Sequence, residues 1–556
     1  PLPTYPFERQ RYWLKEESPV FSAYRLVSTP VKHDDRAALS GGIWHTVGDA
    51  QAWTDALTAR GETVVSHGAN ALPLSLQSHL QPGTGPHRIL LAASHPHASQ
   101  WTGAAKAIAL ESSREWGGLI VAPSATALAK IMPALATASA TPVVQVDGDG
   151  VTAGQLQPDE LPATVWSARG EVTYLITGGM GALGLHLADW LIDAGAKSLL
   201  LMGRRAPDAA TQAKLAAWTE RGIEVRTTAT DVTDRAQLAA ALDAIHLPLG
   251  GVFHAAGAPG FESFATLSPE RWEATTAAKI TGARWLDELT AGSDLDAFVL
   301  FSSIASVWGS QGQAHYAAAN QSLDDLAHRR HAEGRPALSI NWGPWADGGM
   351  ATPQATAQLQ KIGIGLLDPA AALSGLGAAL IAGRTQTIIA QVDWSEFRPV
   401  YEIRGGSHLL SGIPTGAAMS AASPTETAPA ILSKKLATVS AEERPALVLR
   451  HVQDAVSSVL KLPAGAELSP HTGFADLGID SLMAILLRKQ LAQDLGLELS
   501  ATLVFDYPDC ERLAVHLLER FAASVADASS PATATESDDD AAAAAELARK
   551  LSRLGI

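Results

Sequence analysis

A chain of 556 residues exceeds what one hydrophobic core supports, so two to four domains are expected. A formal charge of −16 with no Lys/Arg-rich run argues against a broad nucleic-acid surface. One cysteine, Cys510, excludes disulfide frameworks and cysteine-based zinc sites, and the absence of a spanning apolar stretch or signal peptide points to a cytoplasmic location away from membranes.

The opening residues 1–20, with prolines at 1, 3 and 6, read as an extended linker packed on a neighbour, and the missing initiator methionine suggests part of something longer. Residues 21–165 carry short apolar runs (RILLAAS, GLIVAPS, TPVVQVDGD) between Ala-rich helical stretches, the alternation of an α/β layer. A strand–glycine turn–helix signature is missing here, so no cofactor site is expected in this part. His95-Pro96-His97 reads as loop rather than as metal ligand, and no metal site is expected in the chain.

From 171 the pattern sharpens. EVTYLITGGMGALGLHLADWLIDAGA reads as strand, glycine turn and helix, and KSLLLMGRR as the next strand. Further strands are expected at IEVRTTATDV, GGVFHAAG, DAFVLFSS and ALSINWG, which makes residues 166–404 a doubly wound parallel sheet. Residues 405–440 are rich in Ser, Thr, Pro, Gly and Ala and read as a flexible linker. A compact helical unit follows at 441–523, then a low-complexity tail, 524–556. The tail ends in AELARKLSRLGI, which is either a short amphipathic docking helix or a frayed terminus.

TGGMGALG (177–184) holds Thr177, Gly178, Gly179, Gly181, Ala182, Leu183 and Gly184. Its G-x-x-G-x-x-G spacing supplies a tight turn, close backbone approach to a pyrophosphate, and tight packing of helix on strand. The next strand ends in Arg204-Arg205, where an NAD-binding protein usually places an acidic residue; two cations suit a 2′-phosphate, so NADPH is expected over NADH. Asp231-Val232 is placed to meet the adenine.

Ser303 ends FVLFSS, thirteen residues before Tyr316 in AHYAAANQSLDDLA. With the glycine turn upstream, these residues resemble the ketoreductase of a modular type I polyketide synthase, a branch of the short-chain dehydrogenase/reductase superfamily. The common superfamily pattern puts a lysine four after the tyrosine. In polyketide ketoreductases that lysine and an upstream asparagine trade places, and here Lys279 and Asn320 stand accordingly. The resemblance implies that Tyr316 donates a proton to a ketone oxygen, with a neighbouring Lys279 ammonium making the phenol more acidic. Ser303 would hydrogen-bond the same oxygen, and Asn320 would anchor Lys279 or a water in the proton path. Lys279 and Tyr316 would also touch the cofactor. HAAG supplies Ala255, Ala256 and Gly257 beside it, and NWGPWADGGMA (341–351) leads into a mobile lid at 350–367. Residues 21–165 would be a structural subdomain, a degenerate Rossmann unit, shorter than usual; Met180 replaces a common threonine in the fingerprint. The implied architecture is two Rossmann-like subdomains followed by a small helical carrier.

Two residues carry an expectation about stereochemistry. Trp308 stands eight before Tyr316, and APGFES (258–263) lacks a Leu-Asp-Asp motif, which in the family resembles the A-type with an L-configured β-hydroxyl. An indole at the mouth of the groove would steer the substrate; the alternative is an indole simply packed under the lid. Gln313, three before the tyrosine, implies no α-epimerisation.

FADLGIDSLMAILLRKQL (474–491) places Ser481 after Asp480 at a helix start. It is similar to acyl carrier proteins, whose serine receives 4′-phosphopantetheine from coenzyme A through a phosphopantetheinyl transferase. The helix N-terminus favours a phosphodiester there. The opening linker resembles the segment behind an acyltransferase, implying ketosynthase and acyltransferase domains upstream and a downstream module met through the tail. No dehydratase region is evident, so the hydroxyl is expected to persist. The expected function is NADPH-dependent reduction of a carrier-bound β-ketoacyl thioester. The alternatives are a free-standing reductase of small ketones and a catalytically silent scaffold with a working carrier; G-x-S-x-G and H-E-x-x-H are both absent.

Overall fold

The computed structural model describes residues 21–31, 42–81, 83–113, 115–131, 141–147, 150–258, 260–348, 353–402, 407–414, 432, 436, 439–440, 443–460, 468–474, 477, 479, 481–495, 499 and 503–527. The expected linker at 1–20, most of that at 405–440, and the tail beyond 527 lie outside them. Two compact units separate, Pro1–Ala418 and Met419–Ile556. Among the described residues no helix is long and apolar enough to cross a membrane.

The first unit is built on one sheet. Its first seven strands are β1 (Ser22–Pro30), β2 (Ile43–Val47), β3 (Thr63–His67), β4 (His87–Ala92), β5 (Trp116–Ala122), β6 (Val143–Asp147) and β7 (Gly150–Pro158). Eight more follow: β8 (Thr173–Thr177), β9 (Ser198–Gly203), β10 (Glu224–Ala229), β11 (Leu249–His254), β12 (Ala297–Ser303), β13 (Leu338–Trp342), β14 (Ile364–Gly365) and β15 (Gln386–Val392). The strand order is β10-β9-β8-β11-β12-β13-β15-β1-β7-β6-β5-β4-β2-β3, with β14 paired to β15 off that path. From β10 to β15 every pairing is parallel, and so is every pairing from β6 to β3.

These are the two Rossmann-like subdomains, and they are not separate sheets. β1 pairs antiparallel with β15 on one side and with β7 on the other. Only Tyr24 of this strand is buried, at 1% exposure, and the rest is half-buried or exposed, so no continuous apolar run marks it. By contrast β8 and β13 are buried at every residue, as parallel strands covered on both faces must be.

The order in the second subdomain reverses between β8 and β11. In open α/β sheets ligands bind outside the carboxyl ends of the strands at such a switch point, where both the glycine turn and the HAAG segment emerge. The helix Ala98–Glu111 of the first subdomain packs against Ala314–Ala332 of the second. A Cβ on Gly103 would lie 2.5 Å from the carbonyl oxygen of Ala317, so only glycine permits this approach. Lys106 Nζ crosses the same seam to donate to Ser306 O and to Gln321 Oε1, the latter at 2.7 Å.

The second unit is helical: Arg444–Leu460, Ser481–Leu495, Leu503–Asp506 and Cys510–Asp527 among the described residues. Val448, Val452 and Val456 face Leu487, Leu491 and Leu495, and Leu513 and Leu517, in one core. Their spacing of four puts each set on one helix face. Cys510 is buried in that core, and burial pushes its thiol up to about 11, away from thiolate chemistry.

Candidate active site

The turn after β8 shows why glycine stands where it does. Gly178 has φ +70°, and a Cβ there would sit 3.0 Å from the carbonyl carbon of Ala255 on the neighbouring strand exit. A Cβ on Gly184 would lie 2.4 Å from Gly178 O. Gly181 is the N-cap of the helix Ala182–Asp193 and offers no side-chain cap. The amides of Ala182, Leu183 and Gly184 therefore open the helix without intrahelical acceptors, a donor set that fits a pyrophosphate. Ala255 N donates to Thr177 O at 3.1 Å and Ala256 N to Thr177 Oγ1 at 3.3 Å, tying the two strand exits together. Gly257 continues that exit, half-buried.

Arg204 and Arg205 follow β9 and are exposed, as recognition of a 2′-phosphate requires. Beside them, a Cβ on Gly203 would come within 2.9 Å of Met180 Cε, so the methionine of the turn lies against the end of that strand. Asp231 Oδ1 accepts from Thr233 N at 2.9 Å and Thr233 Oγ1 at 2.8 Å, while Val232 is core.

Lys279 comes from the helix Pro269–Leu289 and is 2% exposed. Its Nζ donates to Phe301 O on β12 at 2.6 Å and stands 5.9 Å from the centre of the Tyr316 ring. Burial lowers its pKa to about 8, and the Asp324 charge pulls it back up. Ser303 ends β12, its Oγ accepting from Ala305 N at 3.2 Å. Asn320, one turn after Tyr316, donates from Nδ2 to Tyr316 O at 2.7 Å; its Oδ1 is buried without a hydrogen-bond partner among the described residues. Four residues from three elements thus converge on one place.

Burial raises the pKa of Tyr316 from its ordinary value, and the Ser303 hydroxyl and Asn320 amide pull it back down. One feature differs from the sequence expectation. Trp308 is not at an open mouth. It is 3% exposed, with ring centroids 5.2 Å from Phe397 and 6.4 Å from Trp394. Gln313 is the N-cap residue of the Tyr316 helix and donates from Nε2 to Gly260 O at 3.1 Å.

Around these residues lies a polar framework that motif reading did not reveal. Asp324, 1% exposed, accepts from Ser306 Oγ at 2.7 Å, Ser339 Oγ at 2.6 Å and Asn341 Nδ2 at 2.9 Å. Tyr316, Asn320 and Asp324 are spaced by four, so one helix face carries all three; that spacing was the available signal. His254 Nδ1 lies 2.7 Å from Thr177 Oγ1 and its Nε2 3.1 Å from Ala278 O. Burial, then the nearby Lys279 charge, lowers the His254 pKa to about 3, so it stays neutral.

Of the expected lid, residues 350–352 lie outside the described residues, while Pro353–Lys361 is helical and β14 follows. His95 and His97 lie between β4 and Ala98–Glu111, His97 being the N-cap residue. Ser481 is the first residue of its helix; its side chain and the whole of Asp480 lie outside the described residues.

Comparison with known proteins gives the following. A family model described as KR domain matches residues 172–347, and one described as phosphopantetheine attachment site matches residues 450–517. The pikromycin polyketide synthase component PikAIII of Streptomyces venezuelae is 35% identical over 94% of this chain and 38% of its own length. Erythronolide synthase EryA3 of Saccharopolyspora erythraea is 34% identical over 93% of this chain and 17% of its own. The chain thus spans well under half of these relatives. A solved A1-type ketoreductase superposes with a TM-score of 0.65 at 30% identity, covering 71% of this chain and 98% of that one. The ketoreductase from the first module of phoslactomycin biosynthesis in Streptomyces sp. HK803 gives 0.61 at 30%, covering 72% and 100%.

Proposed function

The chain belongs to the ketoreductases of modular type I polyketide synthases, with a phosphopantetheine-attachment domain behind the reductase, and from that premise we propose that it reduces a β-ketoacyl thioester carried on Ser481 to the β-hydroxyacyl thioester. The observation that carries the proposal is the convergence of Lys279, Ser303, Tyr316 and Asn320 at the carboxyl ends of β8, β11 and β12.

NADPH supplies the hydride when bound. The turn of Gly178, Gly179, Gly181 and Gly184 with the first amides of the following helix would hold its pyrophosphate, and Arg204 and Arg205 its 2′-phosphate. Asp231 and Val232 would border the adenine, and Ala255, Ala256 and Gly257 would line the approach to the nicotinamide.

The chain's own groups handle the proton. Tyr316 Oη gives its proton to the ketone oxygen as that oxygen becomes an alkoxide, and Ser303 Oγ donates a hydrogen bond to the same atom. Burial, which raises the pKa of the phenol, favours the protonated form that a proton donor needs. Lys279 lends positive charge to the phenolate left behind, and Asn320 Oδ1 offers an acceptor for its ammonium or for a water that reloads the tyrosine.

The A-type outcome, an L-configured hydroxyl without α-epimerisation, is part of the proposal. Its supports are Trp308, Gln313, the APGFES loop and the likeness to A-type structures. A C2-type reductase also superposes, at 26% identity and TM-score 0.61, so the fold is shared across types and particular side chains must decide. Because Trp308 is core, its influence would pass through Trp394 and Phe397 rather than through direct contact at an open groove. Ketosynthase and acyltransferase domains upstream, a phosphopantetheinyl transferase and a following module are the partners this reading calls for.

The test loads Ser481 with a β-ketoacyl-phosphopantetheine, adds NADPH and resolves the released product on a chiral column. An L-hydroxy product is expected; a D-hydroxy product overturns the stereochemical part, and no reduced product overturns the function.

A further inference from the structure

Two loops at the carboxyl end of the sheet lie beside Tyr316. One, residues 260–264, continues the HAAG exit of β11; the other, 309–313, leads directly into the Tyr316 helix. They bond to each other through Glu262 N to Gly312 O at 2.7 Å and Gln313 Nε2 to Gly260 O at 3.1 Å. A third party binds both. Glu111, the last residue of the helix Ala98–Glu111, comes from the subdomain that lacks the glycine turn. Its Oε2 accepts from Ser263 Oγ at 2.9 Å and Phe264 N at 2.8 Å, and its Oε1 accepts from Gly312 N at 2.9 Å.

The placement has a cost that calls for a reason. A carboxylate in the last turn of a helix faces the partial negative end of the macrodipole, and this last turn holds no basic residue. Three donors aimed at one carboxylate offset that repulsion, and two of them are backbone amides whose positions define the loops. The clamp also fixes what the loops present. Gly312 has φ +73°, and a Cβ on it would approach the Phe261 ring to 3.0 Å, so the phenyl lies over that glycine. Phe261 is 66% exposed, an apolar surface beside the catalytic helix.

We propose that Glu111 is a positioning residue: by clamping loops 260–264 and 309–313 it sets the face of the β-ketoacyl chain, through Phe261 and Gln313, that meets the reacting groups. The inference rests on the proposed ketoreduction and adds that selectivity depends on the first subdomain as well as the second. Glu111 acts through the loops it holds, since both of its carboxylate oxygens are taken up by Ser263, Phe264 and Gly312.

The experiment compares the full chain with Glu111→Ala and Glu111→Asp. Hydrogen exchange reads the amides of Phe264 and Gly312, and steady-state kinetics with a β-ketoacyl thioester reads KM, kcat and enantiomer ratio. In Glu111→Ala both amides exchange about tenfold faster, KM rises about tenfold, the minor enantiomer increases, and NADPH affinity is unchanged. Glu111→Asp recovers part of the selectivity. Unchanged exchange overturns the clamp, and faster exchange with unchanged KM and enantiomer ratio overturns its role in selectivity. A wild-type chain that reduces no thioester overturns the proposed function instead, and exchange at the two amides still decides whether the clamp exists.

Discussion

Lys279 places its ammonium 5.9 Å from the centre of the Tyr316 ring while its hydrogen bond goes to the carbonyl of Phe301, on the strand that ends in Ser303. The lysine thus reaches the tyrosine from a different helix, and the turn after Tyr316 is left to Asn320. One carbonyl locks the amine, and Asp324 pulls the lysine's pKa back up; burial raises the pKa of Asp324 itself, and hydrogen bonds from Ser306, Ser339 and Asn341 favour its charged form.

That arrangement fixes a pH dependence. Lys279, with its pKa lowered to about 8, is charged below that value and neutral above it. Reduction is expected to hold a plateau at lower pH and fall as pH rises through about 8, well before the phenol titrates. Asp324→Asn removes the charge that raises the lysine, so the falling limb moves to lower pH. The log of kcat/KM against pH for both proteins checks this; a limb that stays put in Asp324→Asn contradicts it.

Glycine at 184 is required by space. Gly184→Ala drives a methyl toward Gly178 O, a backbone atom that cannot yield without moving the turn. NADPH affinity is expected to drop at least about tenfold, a loss on the order of 1.4 kcal/mol. Gly222→Ala is the control: φ is +79° but nothing lies within 4 Å, so it adds backbone strain of about 1–2 kcal/mol and leaves NADPH binding intact. Fluorescence titration with NADPH and thermal unfolding separate the two.

A histidine chain makes the first subdomain sensitive to acid. His45 Nδ1 lies 2.9 Å from His67 Nε2, its Nε2 2.9 Å from His87 Nδ1, and His87 Nε2 2.8 Å from Thr84 Oγ1. Burial first, and then neighbouring histidine charges, lowers His45 to about 3 and His67 to about 4. Folded values below the unfolded 6.5 mean that the unfolded chain binds protons first as pH falls. Stability is therefore fully present above about 6.5 and lost below it, by at most about 1.4 kcal/mol per pH unit per group. Melting temperatures from pH 7 to about pH 5 are expected to decline, and less steeply in His45→Gln; an equal slope in the two proteins refutes the assignment.

Much of this was legible in the sequence because it obeys local rules. β8, β9 and β12 carry runs of consecutive apolar residues (YLI, LLLM, AFVLF), the mark of strands buried on both faces, whereas β13, LSINW, alternates yet is buried throughout with Ser339 and Asn341 bonded to Asp324. The glycine turn announces itself because its steric demands fall within eight consecutive residues. β1 and β7 were missed, since SAYRLVSTP and GVTAGQLQP alternate and read as no strong element, yet β1 joins the two parallel sheets. Glu111 and Lys106 had no motif to betray them: each meets its partners some 150 to 215 positions away. Asp324 stood in plain view, but a carboxylate on a helix ordinarily reads as a solvated face. For Trp308 the sequence allows both a place at the mouth and packing under the lid, and the ring packs in the core with Phe397 and Trp394.

The most direct test of the central claim is NADPH oxidation by wild type and Tyr316→Phe with a β-ketoacyl thioester at neutral pH, with NADPH affinity measured alongside. Wild type is expected to reduce the thioester, and Tyr316→Phe to lose at most about tenfold in NADPH affinity, one hydrogen bond to the cofactor, while kcat at saturating NADPH falls about 10²- to 10⁴-fold. A Tyr316→Phe protein that turns over within about threefold of wild type would contradict the account, because the proton would then come from somewhere other than Tyr316.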